Sequence, residues 1–187
     1  LDIRVEDSFL APEECERILA AVREIEPWEP SSVEFWDNRG LNLAYVRDRI
    51  DMAIADLITH SAARCGEFVQ REYQLKRPVF PDVVQIVRWF PGMEQAPHAD
   101  DMTDVGLDGY AHRRFGALLY LNDDFKGGCT YYTNGMVEVV PRVGRLAVHP
   151  GDPTHRHGVT RVEGSIRYTV ASFWTFEASR SCLPAAE

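Results

Sequence analysis

From residue 82 onward the chain keeps one texture. DVVQIVRWF, FGALLYLND, CTYYTN, VEVVP, GRLAVHP, HGVTRV and RYTVASFWTF are short, rich in β-branched and aromatic residues, and separated by glycine, proline and asparagine. Strands that follow one another without intervening helices pair antiparallel, so these segments predict a sandwich or barrel of the jelly-roll kind. Ahead of them, IRVE reads as a short strand. APEECERILAAVREI sets Cys15, Ile18, Leu19, Val22 and Ile25 at helical spacing, with Pro12 suited to a first turn. RIDMAIADLITHSAARCGEF sets Ile50, Ala53, Ile54, Leu57, Ile58 and Cys65 along a second apolar stripe. The fold class expected is therefore α+β, mainly β, with a jelly-roll core and both N-terminal helices packed outside one sheet.

A chain of 187 residues suits one domain with a real core. Residues 1–176 are expected to form it, with 177–187 as a loose tail. Hydrophobic residues at 45% and charged residues at 26% match a globular protein. A formal charge of −9 argues against a nucleic-acid partner. No apolar run is long enough to cross a bilayer, and LDIRVEDSF lacks a basic-then-apolar leader pattern. Cys15, Cys65, Cys129 and Cys182 are scattered with no CxxC pair, so reduced thiols and a cytoplasmic location are expected.

One stretch carries chemistry: His98-Ala99-Asp100. In a strand, residues i and i+2 share a face, so His98 and Asp100 can meet one ion. One more histidine would complete a two-histidine, one-carboxylate triad, which holds Fe(II) and leaves coordination positions open. His112, His149, His155 and His157 are the downstream candidates. HRHGVTRVEGSIRYTVASFW reads as a β-hairpin turning at Glu163-Gly164-Ser165, which pairs Val162 with Ile166 and Arg161 with Arg167. His157 then shares a face with Arg167, roughly 13 Å away, a gap that a five-carbon diacid would bridge, whereas His155 lies roughly 20 Å off. A two-residue turn would send His157 to the opposite face, and the sequence does not choose between the turns. Arginine grips a carboxylate through two parallel hydrogen bonds. A metal at one end and Arg167 at the other thus describe a pocket for a chelating dicarboxylate such as 2-oxoglutarate, with Tyr120 as a further donor.

Taken together these segments resemble the Fe(II)/2-oxoglutarate dioxygenases, in particular the prolyl 4-hydroxylase-like branch. VEDSFLAPEECERIL is similar to that family's opening strand and helix, VQIVRWFPG to the strand entering the site, and HAD to its first two iron ligands. RRFGALLYLNDDFKGGCTYY resembles the central strand pair, and HGVTRVEGSIRY the segment with the second iron histidine and the basic co-substrate residue. The resemblance implies a double-stranded β-helix in which His98, Asp100 and His157 bind iron, Arg167 holds the distal carboxylate and Tyr120 assists it. It implies use of Fe(II), 2-oxoglutarate and O2, with ascorbate as an accessory reductant. The reaction implied is hydroxylation of an aliphatic C–H bond in a peptide, free amino acid or natural product, releasing succinate and CO2. Related halogenases leave the carboxylate position vacant, so Asp100 favours hydroxylation. Two departures bear on substrate: a Trp89-Phe90 pair stands where tyrosine is frequent, and Met102 to Arg113 forms a long lid.

Other features have plainer readings. Asp100, Asp101, Asp104 and Asp108 do not follow calcium-loop spacing and read as a solvated lid. The glycines of FKGGC fit tight strand geometry, Phe173 and Trp174 fit packing, and His149 fits a structural role. EFWDNRGLNLAYVRD is either an ordered surface loop or part of a substrate-binding loop. Two other classes compete with the dioxygenase: a non-catalytic jelly-roll binding module, and a cupin-like metalloenzyme that does not use 2-oxoglutarate. Arg167 counts against both.

Overall fold

The computed structural model describes residues 2–32, 34–102, 106 and 108–183. The chain opens with β1 (Arg4–Glu6) and α1 (Pro12–Val22), whose buried Cys15, Ile18, Leu19 and Val22 form the predicted stripe. β2 (Gly40–Asn42) runs into a single turn, α2 (Leu43–Tyr45), and then into a wide turn over Val46–Ile50. The long helix α3 (Met52–Glu72) starts later than its hydrophobic pattern suggests because Asp51 caps it. The Asp51 carboxylate accepts from the backbone N–H groups of Ala53 at 2.7 Å and Ile54 at 3.2 Å, two donors that a helix start otherwise leaves unpaired.

The strands that follow are β3 (Phe80–Trp89), β4 (Gln95–His98), β5 (Arg113–Tyr120), β6 (Lys126–Gly127), β7 (Thr130–Tyr132) and β8 (Val137–Val139). They continue with β9 (Leu146–Pro150), β10 (His157–Val159), β11 (Val162–Glu163) and β12 (Arg167–Thr175). One sheet has six strands in the order β1-β9-β5-β12-β3-β2, and a second has four in the order β4-β10-β7-β8. β11 and β6 form a small third ladder, and all pairings are antiparallel. This is the expected double-stranded β-helix, and α1 and α3 cover the outer face of the six-stranded sheet.

Strand alternation sorts the residues between two environments. Along β12, Tyr168, Val170 and Trp174 enter the core under the helices, while Arg167, Thr169, Ala171 and Phe173 line a cavity on the other face. β3 does the same, with Val84 and Ile86 in the core and Val83, Gln85, Val87 and Trp89 on the cavity.

Two expectations are corrected here. Val162 and Glu163 do not pair with the residues after Gly164; they pair with Gly127 and Lys126, and Arg167 pairs with Trp89. The chain leaves one sheet and enters the other, as successive strands of a jelly roll do. β10 and β12 therefore face each other across the cavity rather than lying side by side. The segment after Phe176 is also not loose as far as residue 183. Ala178–Arg180 make a single turn, Leu183 packs against the core, and the Cys182 N–H donates to the Pro81 carbonyl at 2.8 Å.

Candidate metal centre

His98 ends β4 and His157 begins β10, and the two are direct cross-strand partners with ring centroids 4.6 Å apart. Asp100 lies two residues beyond the end of β4, so strand alternation does not bring it to His98 as the sequence suggests; the turn after the strand does. Its Oδ1 is 3.9 Å from His98 Nε2 and 3.6 Å from His157 Nε2. One donor atom from each residue falls within 4.8 Å of the others, the only such triad among the described residues. The Nδ1 of His98 is 3.3 Å from the Ala96 carbonyl, and that of His157 is 3.1 Å from the His155 carbonyl. A carbonyl only accepts, so Nδ1 of each ring carries a proton, and Nε2, on the Asp100 side, is the nitrogen each neutral ring can offer a metal.

Burial sets the charges. It pushes the His157 imidazole down to about 3, with nearby His149 adding to the effect, so this ring is neutral at pH 7 and able to bind a metal. Burial alone would raise the Asp100 carboxyl, but His157 and His149, with a smaller contribution from His98, outweigh it and hold Asp100 well below the usual carboxylate range. Two imidazole nitrogens and one carboxylate oxygen are the donor set of a facial site for Fe(II).

His155 is directed elsewhere, its Nδ1 lying 3.2 Å from Asp152 and 3.0 Å from the Thr154 hydroxyl, and His112 bonds Asp82 at 2.8 Å. His149 holds an unexpected place. On β9, Leu146 and Val148 enter the helix-covered core, so Ala147 and His149 face inward. His149 Nε2 reaches Asp100 Oδ2 at 2.9 Å, and its Nδ1 meets the Tyr132 hydroxyl at 2.8 Å. A histidine at an inward position of an otherwise apolar strand was the available signal in LAVHP.

The cavity beside this cluster has a volume of about 680 Å³, ample for a diacid and part of a second molecule. Arg167 is fully buried on its wall, and its Nε finds no hydrogen-bond partner. One terminal nitrogen reaches the Thr130 hydroxyl at 3.5 Å, and no carboxylate among the described residues pairs with the guanidinium. Thr169, two residues on along the same face, has an equally buried hydroxyl without a partner. Orphaned donors of this kind are costly unless a ligand completes them, and their chemistry fits a carboxylate. The Tyr120 hydroxyl meets that of Thr130 at 2.7 Å and bears on the Arg167 guanidinium, which lies 5.2 Å from its ring. Arg39 stacks 4.1 Å from the Trp89 ring; burial, together with Arg167, lowers its pKa to about 10.

Phe35, Trp36 and Asn42 from the early aromatic loop line the cavity, as do Tyr110, Arg113 and Phe173. The loop thus contributes to the pocket, and Phe173 faces it while Trp174 packs beneath α3. Asp104 of the expected acidic lid lies outside the described residues.

Residues 84–175 match the 2OG-Fe(II) oxygenase superfamily. Among curated proteins, mouse prolyl 3-hydroxylase 3 is 38% identical over 77 residues, and human prolyl 3-hydroxylase 1 is 34% identical over 77 residues. Each match takes in 38% of this chain and 10% of the relative, so the aligned stretch spans about a tenth of those proteins. The fold is similar to a Trichoplax adhaerens prolyl hydroxylase solved with a hypoxia inducible factor peptide fragment, at a TM-score of 0.71 and 16% identity, covering 96% of this chain and 86% of that one. It is also similar to a viral collagen prolyl hydroxylase from Paramecium Bursaria Chlorella virus-1 in a 2OG complex, at a TM-score of 0.69 and 13% identity over 95% and 97% of the two chains. The strands that carry the triad thus match the 2OG-Fe(II) oxygenase superfamily in sequence, and the double-stranded β-helix around them is similar to that of solved prolyl hydroxylases.

Proposed function

We propose that the protein is an Fe(II)- and 2-oxoglutarate-dependent dioxygenase that hydroxylates an aliphatic C–H bond, on a prolyl or similar residue of a peptide or on a free amino acid or natural product. The observation that carries the reading is the pairing of two incomplete features in one cavity: a His-Asp-His cluster converging on one point, and a buried guanidinium with no carboxylate partner among the described residues. In this reading His98 Nε2, Asp100 Oδ1 and His157 Nε2 hold the metal. Arg167 grips the distal carboxylate of 2-oxoglutarate, and the Thr169 hydroxyl supports it. Tyr120 acts through Thr130, whose hydroxyl it orients toward Arg167.

When bound, Fe(II) with 2-oxoglutarate and O2 supplies the oxidant that replaces C–H by C–OH, with succinate and CO2 as co-products. The protein's part is orientation and exclusion of water. The carbonyl-anchored imidazoles keep their lone pairs aimed, the buried arginine fixes the length of ligand that fits, and Trp89 and Val159 keep the wall between them dry. Phe35, Trp36, Tyr110 and Phe173 are placed to receive the group to be hydroxylated. Ascorbate would serve as an external reductant that keeps the iron ferrous. Four free cysteines suit a reducing compartment, and we assign the protein to the cytoplasm.

The test is anaerobic titration of the full chain with Fe(II) and 2-oxoglutarate, followed by admission of oxygen. A visible charge-transfer band followed by succinate release is expected, with His157→Ala losing the band. A band undiminished in that variant overturns the ligand assignment, and ligand binding without succinate release indicates a binding module instead.

A further inference from the structure

Asp100 offers two oxygens, and only one faces the imidazoles of His98 and His157. The other, Oδ2, is taken from behind. A carboxylate only accepts, so the 2.9 Å contact is an N–H bond from His149 Nε2. That leaves His149 Nδ1 as an acceptor, and the Tyr132 hydroxyl donates to it at 2.8 Å. Asp100, His149 and Tyr132 are 4%, 1% and 1% exposed, so no solvent competes for these bonds. The backbone makes room for them. Gly116 is the cross-strand partner of His149, and a Cβ there would fall 2.1 Å from Asp100 Oδ2 and 2.6 Å from His149 Nε2.

We propose that Tyr132 and His149 are a positioning pair that pins one oxygen of Asp100 and so presents the other alone to the metal. The inference rests on the reading of His98, Asp100 and His157 as ligands and adds a constraint to it. A carboxylate past the end of a strand is otherwise free to turn and bind an ion through both oxygens, which would occupy a position the co-substrate needs. The hydroxyl proton of Tyr132 fixes the tautomer of His149, and the N–H this places on Nε2 fixes the carboxylate. His149 is thereby kept from acting as a fourth ligand.

The experiment compares anaerobic Fe(II) affinity by calorimetry, and the visible spectrum of the Co(II) form, in the wild-type chain and in His149→Phe, His149→Gln, Tyr132→Phe and Asp100→Ala. His149→Phe keeps a ring but no donor and should weaken metal binding about 10- to 100-fold, with an altered Co(II) spectrum. His149→Gln can place an amide N–H near the same point and should restore most of the affinity. Tyr132→Phe should fall between the two, and it carries the test if His149→Phe does not fold. Wild-type affinity and spectrum in folded His149→Phe or in Tyr132→Phe overturn the proposal, as does a His149→Gln variant no better than His149→Phe. Asp100→Ala separates the two levels. If it loses metal while His149→Phe keeps it, the positioning role alone fails; if it binds like wild type, the ligand reading fails.

Discussion

Arg167 shows most directly that the site is arranged for a ligand rather than for stability. A guanidinium taken fully out of water, with no carboxylate beside it among the described residues and Nε unpaired, costs the free protein folding energy. Burial lowers its pKa, although it remains charged at neutral pH. Arg167→Met fills much of the same volume without the charge. It should therefore raise the stability of the ligand-free protein by about 1 kcal/mol or more while weakening 2-oxoglutarate binding by at least about tenfold. Thermal denaturation in chelator and calorimetry with 2-oxoglutarate on the metal-loaded protein measure the two effects. A variant less stable than wild type, or one with unchanged co-substrate affinity, contradicts this account of Arg167. Gly116→Ala makes the complementary case: its methyl has no room beside Asp100, so overpacking should cost about 1–3 kcal/mol and metal affinity should fall.

At the scale of elements, the short β-branched and aromatic strands were legible in the sequence, but which side of β12 meets the cavity was not: Phe173 and Trp174 both read as packing, and only Trp174 enters the core. The apolar stripes of α1 and α3 were equally legible, because each helix has one face to bury. Pairing was not. The sequence around Glu163-Gly164-Ser165 looks like a tight hairpin because such turns use those residues, but long-range pairing with β6 and β3 wins there. The convergence of His157 and Arg167 survives because both strands turn these residues into the same cavity, from opposite sheets. His149 read as structural, and its inward place on an apolar strand did not reveal which residue it holds, because Asp100 lies 49 positions away. The packing of α3 on the sheet gives a separate test. A Cβ on Gly66 would meet the Trp174 ring at 2.8 Å, and that ring is held by burial and by a 3.0 Å bond from Nε1 to Ser172. Alanine gains roughly 1 kcal/mol of helix propensity there, while overpacking costs about 1–3 kcal/mol. Gly66→Ala should thus be net destabilising in a denaturant titration, and a more stable variant would show that the helix can shift.

Across the whole molecule, the segment that brings Phe35 and Trp36 to the cavity is tied to the core by a buried arginine. Arg88 is 1% exposed, forks onto the Glu26 carboxylate, and also donates to Asn38 Oδ1 at 2.8 Å. That bond from Arg88 lowers the Glu26 pKa below 4.5, although burial works against it. A depressed carboxyl contributes stability above its unfolded value and loses it as pH falls through the folded one. Glu26 is 56% exposed, so screening limits the effect: Glu26→Gln should cost about 1 kcal/mol at pH 7. The difference from wild type should close as pH drops below 4.5, and a difference that persists at low pH would assign the loss to packing. Metal and co-substrate act on the same scale, since any ligand bound only by the folded chain raises its melting temperature.

The central claim is that one cavity holds a metal at one end and a carboxylate at the other. A crystal structure with Mn(II) and 2-oxoglutarate, without oxygen, measures this directly. The account predicts the ion at roughly 2.0–2.3 Å from His98 Nε2, Asp100 Oδ1 and His157 Nε2, with the distal carboxylate on Arg167. An ion bound away from these atoms, or a diacid that leaves Arg167 unpaired, would contradict it.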